Sequence, residues 1–150
     1  MYTTVFIKNF LDFIKIPIDI KHICVFCAPA FSILTVYAGY LMTIEINGWV
    51  ESGLLCALFI SVVPAYLSWS VAGSYDNEAI SITLLLLTFY FFLKGCRTGK
   101  LIDSCLSALL YSYLVSSWGG YSFPIAFIPL YILFCLLTNH YSFNMYKNYT

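Results

Sequence analysis

From Ile23 to Ile44 the chain runs for 22 residues without a charged side chain. At 1.5 Å per residue a helix of that length covers about 33 Å, enough to cross the ~30 Å hydrocarbon slab of a bilayer. A segment crossing that slab must satisfy its own backbone N–H and C=O groups, which leaves a helix as the form open to a single run. Four more apolar runs follow, so the expected fold is an all-α membrane protein. About five transmembrane helices are placed at 23–44, 53–70, 79–95, 101–117 and 121–138, the second interrupted by Pro64. An amphipathic interfacial segment, residues 1–22, precedes this bundle and a polar tail, 139–150, follows it. Pro17 is expected to end the N-terminal helix.

Apolar residues make up 61% of the chain and its mean hydropathy is +0.87, far from the roughly 45–50% apolar content of soluble domains. The formal net charge is zero, which offers no electrostatic basis for a nucleic-acid partner. Six cysteines, Cys24, Cys27, Cys56, Cys96, Cys105 and Cys135, lie in or beside apolar runs and read as small core residues. The C-x-x-C of Cys24 and Cys27 has no second pair to complete a zinc site. Lys8, Asp12, Lys15 and Asp19 interrupt the N-terminus too early for a cleavable signal peptide. Lys94, Arg97 and Lys100 mark the turn between the third and fourth spans as cytoplasmic, which sends Asp76 and Glu78 to the opposite compartment.

The acids Asp76 and Glu78 stand between apolar runs, where an unpaired carboxylate is costly to bury. On a helix two such residues point about 200° apart. In extended backbone they project to one side, roughly 7 Å apart, so a shared cation calls for a loop. Hard divalent cations such as Mg²⁺ or Mn²⁺ favour carboxylate oxygens and suit a D-x-E turn at a membrane surface. The residues also permit Asp76 or Asn77 to cap a helix beginning near Ala79, with Glu78 in its first turn. A proton or ion path is a third use. These readings stay open on spacing alone, and no residue is assigned a catalytic role.

Trp118-Gly119-Gly120-Tyr121 sets two glycines between aromatics at a span end. It fits an interfacial aromatic belt, or a close backbone approach to a lipid head group or sugar. Gly95 to Lys100 lacks the spacing of a phosphate-binding loop and reads as a basic turn. His22 and His140 are isolated near membrane edges. Asn148-Tyr149-Thr150 is a formal glycosylation acceptor placed on the cytoplasmic side.

Two runs, Ser70-Val71-Ala72-Gly73-Ser74-Tyr75-Asp76-Asn77-Glu78 and Ser116-Ser117-Trp118-Gly119-Gly120-Tyr121, closely resemble signatures of the catalytic subunit of eukaryotic oligosaccharyltransferase. The resemblance extends over about residues 18–140, including Ile18-Asp19-Ile20, Val63-Pro64 and the Lys94–Lys100 turn. It implies a multi-pass protein of the endoplasmic reticulum membrane that moves a preassembled oligosaccharide from dolichyl pyrophosphate to the Asn amide of Asn-x-Ser/Thr in an acceptor polypeptide. Asp76 and Glu78 then match a lumenal D-x-E motif that contributes to a site for Mn²⁺ or Mg²⁺, and Trp118, Gly119, Gly120 and Tyr121 become candidates to lie near substrate. Membrane lipid and other oligosaccharyltransferase subunits are the implied partners.

The chain departs from that family where Trp69 replaces the usual Arg before Ser70, and where the first acidic loop, a later acidic loop and the W-W-D-Y-G segment have no counterpart. It is therefore expected to be an internal portion of the enzyme, inactive alone. Two other classes stand beside this reading: a non-enzymatic membrane assembly subunit, and a transporter fragment whose acids line an ion or proton path.

Overall fold

The computed structural model describes residues 2–13, 19–73, 77–140 and 142–149, with the side chains of Tyr2, Trp69, Lys147, Asn148 and Tyr149 set apart. Pro17, Asp76 and the Trp69 side chain therefore lie outside the described residues. The described chain is an all-α membrane protein. Its helices are α1 (Tyr2–Phe13), α2 (Ile20–Asn47), α3 (Val50–Val62), α4 (Pro64–Ser70), α5 (Asn77–Thr98), α6 (Leu101–Ser117), α7 (Ser122–Leu137) and α8 (Phe143–Tyr149), with one turn of 3₁₀ helix at Gly119–Tyr121. Among the described residues three stretches are long and apolar enough to cross a membrane: Ile20–Asn47, Asn77–Thr98 and Gly119–Leu137. α3 and α6 are shorter apolar helices.

α5 is the central element. It packs on α2 on one side and α6 on the other, and buries Ala79, Ile80, Ser81, Thr83, Leu84, Thr88, Tyr90, Phe92, Gly95 and Cys96 along its length. α2 and α5 run parallel: Thr35 meets Thr83 midway, and Glu45 pairs with Arg97 at 3.2 Å near both C-termini. α3 returns along α2, where Gly39 leaves room for Ile60 and Gly53 for Tyr40 and Ile44. α6 returns along α5, with the Ser107 hydroxyl donating to the Thr88 carbonyl at 3.1 Å and the Thr98 hydroxyl to Asp103 Oδ2 at 3.0 Å.

α7 touches α5 through ring contacts, Phe89 with Phe127 and Phe92 with Tyr131, and its remaining faces are largely open. A crevice of about 380 Å³ lies along this seam, lined by Met42, Phe89, Phe92, Phe123, Phe127 and Tyr131. At the basic end, α8 inserts Met145 into a cluster with Phe92, Cys96, Ile132 and Cys135. Cys105 departs from the expectation of a core cysteine, since it is exposed on the outer side of α6.

Proline acts in two ways. Pro29 sits inside α2 without ending it, whereas Pro64 divides the second apolar run into α3 and α4. At the division Val63 takes φ −59° and ψ 119°, the extended geometry a following proline ring imposes. α1 turns Thr4, Ile7, Lys8 and Leu11 inward, an i, i+3, i+4, i+7 stripe, and leaves Phe6, Phe10 and Phe13 outside. Its Thr3 hydroxyl lies 2.7 Å from Tyr113 Oη on α6.

Candidate functional site

Glu78 stands in the first turn of α5, half-buried at the end of the bundle remote from Lys94, Arg97 and Lys100. The described residues of α5 begin at Asn77, ahead of the expected start near Ala79, so Asn77 is a helical residue and Glu78 is not in extended backbone. A carboxylate in this turn is stabilised by the exposed N–H groups of the helix start, and Arg97 in the last turn complements the other pole. Asp76 lies outside the described residues. Among the described residues no three His, Cys, Asp or Glu side chains gather as a ligand set. Glu78 is thus a hard oxygen donor of suitable chemistry that needs partners beyond those described.

Trp118 to Tyr121 arrives at the same end. α6 runs antiparallel to α5, so its C-terminus comes back level with the start of α5, and Trp118 packs against the cluster of Cys27, Ile80, Leu84 and Leu114. The two glycines behave differently. A Cβ on Gly120 would collide with the Trp118 ring, which lies over it, while a Cβ on Gly119 would meet open space. The close approach that Gly120 permits is therefore to this chain's own Trp118. Tyr121 is 45% exposed, and its carbonyl accepts a bond from Tyr111 Oη at 3.1 Å, tying the turn to α6.

A polar feature beneath this end was missed by sequence reading. The Tyr66 hydroxyl of α4 donates to Thr35 Oγ1 of α2 at 2.7 Å, and Thr35 lies 2.6 Å from Thr83 Oγ1 of α5. The Phe31 carbonyl accepts from Thr35 at 2.9 Å and lies within 3.2 Å of Thr83. Thr35 and Thr83 are each 1% exposed. The available signal was the presence of hydroxyl residues inside runs that hydropathy alone would fill with Leu or Ile. Such bonds between membrane helices average about 0.6 kcal/mol and reach about 1.7 kcal/mol.

The family model for the N-terminal part of the oligosaccharyl transferase STT3 matches residues 1–150. The chain belongs to that family. The match reaches beyond residues 18–140 to include α1. Among curated relatives, the dolichyl-diphosphooligosaccharide–protein glycosyltransferase subunit STT3 of Saccharomyces cerevisiae is 48% identical over 151 residues, covering 100% of this chain and 21% of the relative. STT3A of Oryza sativa is 46% identical over 139 residues, covering 93% of the chain and 18% of the relative. The Caenorhabditis elegans subunit stt-3 is 44% identical over 151 residues, covering 100% and 20%. The chain thus spans about a fifth of the length of these relatives.

Proposed function

We propose that this chain is the N-terminal membrane part of an oligosaccharyltransferase subunit. It acts in transfer of a preassembled oligosaccharide from dolichyl pyrophosphate to Asn of Asn-x-Ser/Thr in an acceptor polypeptide, alongside other subunits in the endoplasmic reticulum membrane. The observation that carries the reading is a family match along the whole chain that includes the Asp76-Asn77-Glu78 run, with Glu78 at the open end of α5. Asp76 and Glu78 are the residues that would hold Mn²⁺ or Mg²⁺ on the lumenal side. Such an ion supplies Lewis-acid neutralisation of the departing pyrophosphate.

The chain's own residues hold the place for that chemistry. Glu78 presents its carboxylate from a helix whose following residues, Ala79, Ile80 and Ser81, are buried, which fixes the backbone under it. Gly119, open above its backbone, and Tyr121 are the parts of the 118–121 turn available to a lipid head group or sugar. Gly120 and Trp118 fill one another's space.

The position of Glu78 in the first turn also suits the structural use, in which it only stabilises the start of α5. The two uses separate in the full-length subunit within its complex. Asp76→Ala and Glu78→Ala should each lower Mn²⁺-dependent transfer by about 10²-fold or more while the complex assembles normally, the scale of loss seen when one electrostatic stabiliser of a transition state is removed. Transfer at the wild-type rate in both variants would leave only the structural use.

A further inference from the structure

Among the described side chains of the half-helix that leads into the acidic segment, Tyr66 makes a hydrogen bond to another helix. α4 has seven residues, and it joins α3 through Val63 and Pro64, where proline has no N–H to continue the helical ladder. Among its described side chains only Tyr66 and Ser70 are better than exposed. Ser70 bonds back to Leu67 O at 3.2 Å within α4. Tyr66 reaches out, to Thr35 at 2.7 Å and through it to Thr83.

The two ends of this bridge flank the acidic segment. Tyr66 lies on the helix that enters residues 71–76, and Thr83 on the helix that leaves them carrying Glu78. A second tie, from the Gly73 N–H to Val25 O at 3.3 Å, sets the start of the segment on α2. Thr35 and Thr83 also reach the Phe31 and Ala79 carbonyls, whereas the Tyr66 hydroxyl bonds across to another helix, so the bridge is directional in a way that the exposed apolar side chains of α4 are not.

We propose that Tyr66, Thr35 and Thr83 are positioning residues for the acidic segment, fixing the spacing between its entry helix and Glu78. The role rests on the reading of Asp76 and Glu78 as a cation pair. A cation site depends on how closely its oxygens are held in place, and supports one step behind the ligands change affinity without touching the ion.

The test uses the full-length subunit in its assembled complex. Tyr66→Phe keeps the ring and removes the hydroxyl. Without added metal, amide hydrogen exchange over 71–78 should speed up at least about threefold while the 84–92 stretch of α5 exchanges at the wild-type rate, since only the local tie is lost. The Mn²⁺ concentration for half-maximal transfer should rise about three- to tenfold with the saturated rate retained, less than the roughly 10–100-fold loss typical of partners bonded directly to a metal ligand. Thr83→Ser, which keeps a hydroxyl, should behave as wild type, and Thr83→Val should follow Tyr66→Phe.

Wild-type exchange over 71–78 in Tyr66→Phe overturns the proposal, as does faster exchange spread equally through α5, the mark of general loosening. Glu78→Gln separates the two levels. If it leaves the Mn²⁺ requirement unchanged the cation reading falls, whereas the exchange data still decide whether the hydroxyls position the segment.

Discussion

α5 and the stretch Gly119–Leu137 are nearly equally apolar, yet α5 buries residues along most of its length, whereas the second stretch buries Pro124, Ile132 and Cys135. The difference lies in how each is interrupted. α5 carries Ser81, Thr83, Thr88 and Gly95, all buried; the Ser81 and Thr88 hydroxyls bond back to carbonyls one turn earlier at 2.7 Å each, and Thr83 Oγ1 lies 2.9 Å from the Ala79 carbonyl and 2.6 Å from Thr35. α7 is filled with Phe, Ile and Leu between Ser122 and Thr138, and Leu130, Leu133, Phe134 and Leu137 stay exposed. In a bilayer, where lipid is as apolar as leucine, small and hydroxyl residues let helices approach closely while bulky ones do not. Hydropathy locates a span, and its small polar residues locate the packed face.

The sharpest way to break this comparison is a matched pair of truncations in the assembled complex, read by thermal unfolding. Leu84→Ala, at a site 5% exposed in α5, should cost about 1–3 kcal/mol through lost packing and a residual cavity. Leu130→Ala, 60% exposed on α7, should stay within about 0.5 kcal/mol unless another subunit covers it. Equal losses would mean that α7 is packed as firmly as α5.

A second pair concerns the glycines before α7. Gly120→Ala should cost about 1–2 kcal/mol because the Trp118 ring must swing away, and should shift Trp118 emission to the red. Gly119→Ala, with open space above it, should change stability by less than about 0.5 kcal/mol. Similar effects from both would mean that Trp118 does not rest on Gly120.

The smallest effect is expected at the basic end. Arg97→Ala breaks the ion pair with Glu45, but the Arg97 side chain is 68% exposed, so the loss should be under about 0.5 kcal/mol and should fade with added salt. A loss above about 2 kcal/mol would show that this end is closed to water.

The helical class was legible from the uncharged run 23–44, and the break at Pro64 from the missing N–H. The place of Glu78 in the first turn of α5 was one of the readings its spacing left open, while Asn77, offered as a cap, is helical, since a helix start accepts both. The partnership of Trp118 with Gly120 was hidden because sequence shows that a backbone is bare but not what covers it. The Tyr66–Thr35–Thr83 bridge was illegible for a related reason: its members lie 31 and 48 residues apart, and only the parallel run of α2 and α5 brings them together. The motif runs themselves were the most legible part of the site, and they are what the family resemblance rested on.

The central claim is that Glu78 serves a divalent cation beside the lipid-linked donor. The direct measurement is Mn²⁺ bound to the purified complex, followed by electron paramagnetic resonance for wild type and Glu78→Gln at matched concentrations. Weakening of the bound signal by tenfold or more, in step with lost transfer, is the expected result. An undiminished signal with full transfer would contradict it.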